Sequence, residues 1–252
     1  MEAPTGGSVI LAGLLLKLGG YGFLRVLLPI FSQSTFQYLP LVDMLALVSI
    51  IYASLTTIRQ VDLKRIIAYS SVAHMNLVVL GLFSVNLVGM LGGIFLMIAH
   101  GIVASALFFC IGVLYDRYAS RLLFYYGGLI NTMPLFSALL LIFSLANTGL
   151  PSTVNFIGEL VIFIGLIDHN IVVLFIAISS VVFSVLYTIF MFNRLVFGNL
   201  NGQYITSFMD INTRELFTLG SLAFLTIFLG ICPNFIFQNL EASTSLIIEK
   251  LK

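Results

Sequence analysis

The sequence predicts an all-α, polytopic transmembrane helix bundle of about seven helices, one of them discontinuous. Three observations carry the prediction. Of 252 residues, 60% are hydrophobic and only 8% are charged, against about 45–50% apolar and about 25% charged in a soluble domain. Mean hydropathy is +1.13. Apolar runs recur at or beyond the roughly 20 residues that a helix needs to cross a bilayer core. So few charges cannot clothe a soluble surface, and a net charge of +1 offers no basic face for nucleic acid. A soluble enzyme, a disordered chain and a nucleic-acid binder are excluded.

Each crossing is read from an apolar run. The seven cover residues 8–31, 39–58, 63–84, 87–114, 133–167, 171–197 and 216–238. All are longer than a globular strand, so they are read as helices. The first carries Gly19, Gly20 and Gly22. No strand precedes them, so they favour close helix packing or local bending over a phosphate loop. The fifth is too long for one plain helix and holds Asn147-Thr148-Gly149-Leu150-Pro151-Ser152 at its centre. Pro151 lacks a backbone donor and clashes with the preceding turn, so a break is expected at Gly149, Leu150 and Pro151. Unwound backbone at membrane depth is tolerated where protein or a wet cavity surrounds it, and broken helices recur at transporter ion sites. A plain proline kink is the alternative.

The loops set an orientation. Arg59, Lys64, Arg65, Arg117, Arg121, Arg194 and Arg214 fall on one side, and the other has little that is basic before Lys250 and Lys252. The positive-inside rule then places the first side, with the N-terminus, in the cytoplasm or a mitochondrial matrix. Lys64 and Arg65 read as topology charges at a helix start, and Arg25 and Asp43 as interfacial anchors. Cys110 and Cys232 sit in apolar runs. They are too few for a four-cysteine iron–sulfur cluster, and neither a zinc motif nor a disulfide framework is expected. No secretory or transit-peptide pattern opens the chain.

Four ionisable residues remain near mid-membrane: Lys17, His74, His100 and Glu159, one in each of the first, third, fourth and broken fifth spans. Each costs about 2.5–3.5 kcal/mol at the bilayer centre on insertion scales, and none is close enough to a headgroup layer to snorkel. The economical arrangement turns them toward one another or toward water inside the bundle, as a lateral row of groups able to pass protons. Each has a structural alternative. Lys17 could be an ion-pair partner of Glu159, the histidines could be interhelical hydrogen-bonding groups, and Glu159 could be a carboxyl that stays protonated when buried. No catalytic Ser/His/Asp arrangement or metal motif is visible, so the chain alone should perform no redox or hydrolytic chemistry.

These residues lie in four stretches with a family resemblance. EAPTGGSVILAGLLLKLGGYGFLR (2–25), DLKRIIAYSSVAHMNLV (62–78), MIAHGIVASALFFCIGVLYDR (97–117) and LPSTVNFIGEL (150–160) resemble, in order and spacing, signatures of the NADH dehydrogenase (ubiquinone) subunit 4 family. These are antiporter-like membrane-arm subunits of respiratory complex I. The resemblance covers about residues 2–200 and implies a fourteen-helix fold with two inverted five-helix repeats, of which this chain holds the C-terminal half. On that reading residues 1–38 supply the last helix of the first repeat. Residues 39–200 form the second repeat, with its broken helix at 133–167, and residues 201–252 supply a loop, a final helix and a tail. The family's central polar axis matches Lys17, His74, His100 and Glu159. The family's glutamate and lysine from the first repeat are missing, which suggests a split subunit whose first seven helices come from a separate chain; a truncated chain is the alternative.

The resemblance implies a proton-translocating subunit, coupled to quinone reduction elsewhere in the complex. No cofactor is expected in this chain. NADH, flavin, iron–sulfur clusters and ubiquinone belong to other subunits. Expected partners are neighbouring antiporter-like subunits, the separate N-terminal chain and membrane lipids, with no nucleic acid. The implied location is the mitochondrial inner membrane, C-terminus toward the intermembrane space, or alternatively a bacterial plasma membrane. A multi-subunit cation/proton antiporter and a structural spacer with a silent axis are the competing readings.

Overall fold

A computed structural model describes residues 3–199 and 209–251. Met1, Glu2 of the first signature, residues 200–208 of the last loop and the tail charge Lys252 lie outside the described residues. Among those described, the secondary structure is helical apart from one isolated bridge between Asp62 and Leu122.

Among the described residues, six helices are long and apolar enough to cross a membrane: α1 (Thr5–Ile30), α2 (Ser32–Arg59), α3 (Leu63–Phe83), α4 (Leu87–Tyr118), α7 (Ile171–Val196) and α8 (Thr213–Ile231). Between α4 and α7, α5 (Pro134–Asn147) and α6 (Val154–His169) together make the broken crossing. A last helix, α9, runs over Asn234–Leu251. The chain is a multi-pass membrane protein.

Two boundaries depart from the hydropathy reading. The second span begins at Ser32 rather than 39, because a single residue, Phe31, separates it from α1, and the helix runs through Pro40. Thr35 Oγ1 satisfies Ser32 O at 2.6 Å in that first polar turn. The last span ends at Ile231 rather than 238, and the stretch read as a tail is the separate helix α9. Pro233 cannot continue a ladder, and the chain restarts with Ile236 N donating to Pro233 O at 3.0 Å. Phe237 of α9 packs on Phe95 of α4 with centroids 4.9 Å apart.

α4 is the hub. It packs against α1, α3, α5, α6, α8 and α9, and most of its surface is buried. Its approach to α6 depends on glycine. A Cβ on Gly92 would sit 2.7 Å from the Ile162 backbone nitrogen, and one on Gly158 would sit 2.9 Å from Leu96 Cβ. Neither backbone can yield, so these positions let α6 lie directly on α4, as small residues do at membrane helix interfaces. Of the three glycines expected to aid packing in α1, Gly20 faces the Met97 side chain, while Gly19 and Gly22 face open space.

The ends are tied by polar groups. Asn86 caps α4 by accepting from Gly89 N at 2.8 Å, and its Nδ2 donates to Gly165 O at 2.5 Å, joining the α3–α4 turn to α6. At the opposite ends, Arg117 grips Glu215 with two bonds of 3.2 and 2.7 Å and also donates to the carbonyls of Met209 and Asp210. Glu215 completes the capping box of α8 with Asn212. Lys64, at the start of α3, is buried, with Nζ donating to Ala3 O at 2.5 Å.

Candidate functional site

The break in the fifth crossing is built in two steps. α5 ends in a Schellman arrangement, with Leu150 N donating to Leu145 O at 3.1 Å and Gly149 N to Ala146 O at 3.3 Å. That motif needs a left-handed residue after the cap, and Gly149 supplies it with φ +73°. Pro151 follows, cannot rejoin the ladder, and α6 starts only at Val154. The residue that stops the first half is therefore Gly149, and Pro151 keeps it stopped. Ser152 also has a positive φ, +80°. A Cβ on Gly149 would stand 2.8 Å from Glu159 Oε2, so the glycine leaves room for the carboxylate beneath the break.

The four mid-membrane ionisable residues come together in a row. Lys17 follows a π-helical turn over Leu11–Leu15, a local widening common at functional sites. Its ammonium donates to Ala12 O and lies 3.2 Å from His100 Nδ1. His100 on α4 is 1% exposed. The His100 and His74 rings stand 5.4 Å apart, centroid to centroid, with their planes inclined at 45°. His74 Nδ1 on α3 then lies 3.2 Å from Glu159 Oε1 on α6. The order in space is Lys17, His100, His74, Glu159, which reverses the two histidines relative to the chain. Lys17 does not meet Glu159, because both imidazoles lie between them.

The two ends of the row differ. Lys17 is half-buried and opens onto a cavity of about 550 Å³ that Gly13, Tyr21, Gly101 and Ser105 also line. Glu159 is buried, and its Oε1 has no aligned hydrogen-bond donor despite the close His74 nitrogen. A second cavity of about 390 Å³ touches Glu159 and Gly149 and runs between α6 and α7 past Phe163 and Leu174. Among the described residues, no group of three or more His, Cys, Asp or Glu side chains is placed to hold a metal ion. Cys110 and Cys232 are both free thiols.

Sequence reasoning missed several polar groups. Tyr187 Oη lies 3.5 Å from His74 Nε2, at the edge of hydrogen-bond reach. Its signal was present, since Ser184, Tyr187 and Thr188 fall at helical spacing on one buried face of α7. Asn155, fully buried in the first turn of α6, has no hydrogen-bond partner for its side chain. Asp43, expected to anchor at the interface, is buried and lies 2.9 Å from His169 Nε2.

Comparison with known proteins gives the chain its family. The family model described as "NADH:quinone oxidoreductase/Mrp antiporter, TM" matches residues 1–186. Curated relatives named NADH-ubiquinone oxidoreductase chain 4 include one from Chondrus crispus. It is 50% identical over 248 residues, covering 98% of this chain and 50% of the relative. Another, from Arabidopsis thaliana, is 47% identical over 249 residues, covering 99% of this chain and 50% of the relative. The chain thus spans about half the length of the curated relatives it matches. A chain of respiratory complex I from Thermus thermophilus with bound NADH superposes with TM-score 0.91 at 27% identity, covering 99% of this chain and 52% of that one. A chain of the Mrp complex from Dietzia sp. shares the fold, with TM-score 0.87 at 18% identity, covering 98% and 55%. The chain belongs to the NADH:quinone oxidoreductase/Mrp antiporter family of membrane proteins.

Proposed function

We propose that this chain is the C-terminal half of a chain 4-type, antiporter-like subunit in the membrane arm of an NADH:ubiquinone oxidoreductase, and that it moves protons along Lys17, His100, His74 and Glu159. One observation carries the reading: four ionisable groups from four helices lie side by side inside the bundle of apolar spans, with 3.2 Å contacts at both ends. Groups of this kind are too costly there to be incidental.

The geometry suggests how the row works. The Lys17 ammonium lies 3.2 Å from His100 Nδ1, so a proton can pass from N to N along that contact when Nδ1 carries the lone pair. A ring turn brings an imidazole nitrogen of His100 toward His74, and His74 Nδ1 faces the Glu159 carboxylate. Two like unit charges about 5 Å apart repel by about 3 kcal/mol at an effective dielectric of about 20. Adjacent imidazoles therefore do not both hold an extra proton, and charge moves along the row one step at a time. Quinone chemistry in other subunits, with their NADH, flavin and iron–sulfur cofactors, would drive the switching.

The orientation and partners follow from the same surfaces. The ends of α2, α4 and α7 that bear Arg59, Arg117 and Arg194 would face the matrix, and the end of α8 the intermembrane space of a mitochondrial inner membrane. α1 is the least buried of the six long spans. Leu14 and Tyr21 are 68% and 59% exposed beside the Lys17 cavity. The half of the relatives' length that this chain does not match is suited to cover that face.

The test is Glu159→Gln in the assembled complex, with proton translocation measured against quinone reduction in sealed vesicles. The proposal expects translocation to fall while uncoupled NADH oxidation continues. Unchanged translocation would favour a spacer with a silent axis. A purified assembly without flavin and iron–sulfur subunits would favour a redox-independent antiporter.

A further inference from the structure

A second pair of ionisable groups lies off the row, between α2 and α6. His169 Nε2 stands 2.9 Å from Asp43 Oδ2, with side-chain exposures of 15% and 8%. The other carboxylate oxygen, Asp43 Oδ1, is buried with no hydrogen-bond partner. An interfacial anchor would turn its carboxylate to water. Asp43 instead points one oxygen at an imidazole and leaves the other free inside the bundle.

Depth places the pair relative to the row. α2 and α3 form an antiparallel hairpin joined at Gln60–Asp62. Asp43 is sixteen residues before Arg59 and His74 is eleven after Leu63. At about 1.5 Å per residue, Asp43 lies about 8 Å farther than His74 from the hairpin end, toward the face where α6 terminates. His169 is the last residue of α6, the helix that carries Glu159, and its neighbours Asp168 and Asn170 are exposed. The pair therefore has an inner member that faces the bundle and an outer member next to solvent. It lies on the side opposite Arg59, Arg117 and Arg194.

The charged surroundings are sparse. On α6 the nearby acid is the exposed Asp168, and the first 23 residues of α7, Ile171–Asn193, carry no charged residue. The end of α1 offers the exposed Arg25, and α9, which packs lightly on α2, offers the exposed Glu241 and Glu249. The titratable group of α3 nearest this depth is His74, already in the row; Tyr69 lies five residues closer to the hairpin end, away from the pair.

We propose that Asp43 and His169 form a proton-holding station between the row and this membrane face, the release side in the orientation given above. The inference rests on the proposed function. A proton leaves the row when the O–H bond of the Glu159 carboxyl breaks, and it joins the pair. The pair changes from carboxylate with neutral imidazole to carboxylate with imidazolium, a net charge change from −1 to 0. Loss of the Nδ1 proton of His169 to solvent restores the first state. The O–H bond at Glu159 breaks, an N–H bond forms at His169 and later breaks, a water molecule at the release face takes the proton, and no electron moves.

The experiment uses the assembled complex in sealed vesicles, with Asp43→Asn, Asp43→Glu, His169→Gln and Glu159→Gln. Protons released per quinone reduced are measured across a pH series on the release face. The station predicts a several-fold loss in D43N and in H169Q with a flattened dependence on release-side pH, recovery in D43E, and uncoupled electron transfer close to wild type. A purely structural pair would alter assembly or melting without altering the pH profile, which would overturn the proposal. If D43N does not assemble, H169Q decides alone, because glutamine keeps an amide donor for Asp43 but cannot titrate. If translocation survives in H169Q with an unchanged pH profile while E159Q abolishes it, the station is wrong and the row stands. If E159Q leaves translocation intact, the row itself fails.

Discussion

Gly149→Ala tests whether the helix break and the proton row are one structure. The substitution adds one methyl group at φ +73°. A left-handed L-residue costs roughly 1–2 kcal/mol, which corresponds to about a 5–30-fold change in an equilibrium constant. The same methyl would stand 2.8 Å from Glu159 Oε2, closer than a carbon and an oxygen can rest. Either the Schellman turn opens or the carboxylate moves and lengthens its 3.2 Å contact with His74. The expected result is a lower melting temperature of the assembled complex together with fewer protons moved per quinone reduced. Ser152→Gly is the control. It relieves a positive φ of +80° at an exposed position and should hold or raise stability without touching translocation. A G149A complex that matches wild type in both melting and translocation would refute the coupling.

Two further substitutions probe the scaffold. Gly92→Val pushes a side chain into the backbone of Ile162. It should cost about 1–3 kcal/mol or more by overpacking, read as a lower melting temperature or failed assembly; normal assembly and melting would contradict the close α4–α6 contact. Arg117→Met removes the paired bonds to Glu215 and leaves a partly buried carboxylate at the start of α8. It should cost about 2–3 kcal/mol and loosen the Met209–Asn212 segment, measured as faster proteolysis there, with translocation per turnover retained in the complex that survives.

What the sequence revealed, and what it hid, follows from the physics of each element. Long apolar runs announce membrane helices because the bilayer imposes their length, so six continuous spans and one broken one could be read directly. Depth along those runs also picked out Lys17, His74, His100 and Glu159, since a charge at mid-membrane has few reasons to be there. The order of the two histidines was not legible, because it depends on how α3 and α4 are arranged between α1 and α6. Asp43 was misread for a geometric reason. With the second span started at 39 it seemed four residues from the helix end, but α2 begins at Ser32 and puts it eleven residues in. α9 was hidden because an apolar window runs across Pro233 without registering the change of direction. The bond from Lys64 to the carbonyl of Ala3 was not legible, because nothing in its own helix shows that this carbonyl will reach it.

If the four groups work as one row, His100 is the place to cut it. It touches Lys17 on one side and faces His74 on the other. Glutamine fills much of the same space and hydrogen-bonds, but it cannot carry a proton. The decisive measurement is the ratio of protons translocated to quinone reduced for His100→Gln in the assembled, sealed complex. A row that works as one unit gives a large fall in that ratio with uncoupled electron transfer preserved. A ratio equal to wild type would contradict it.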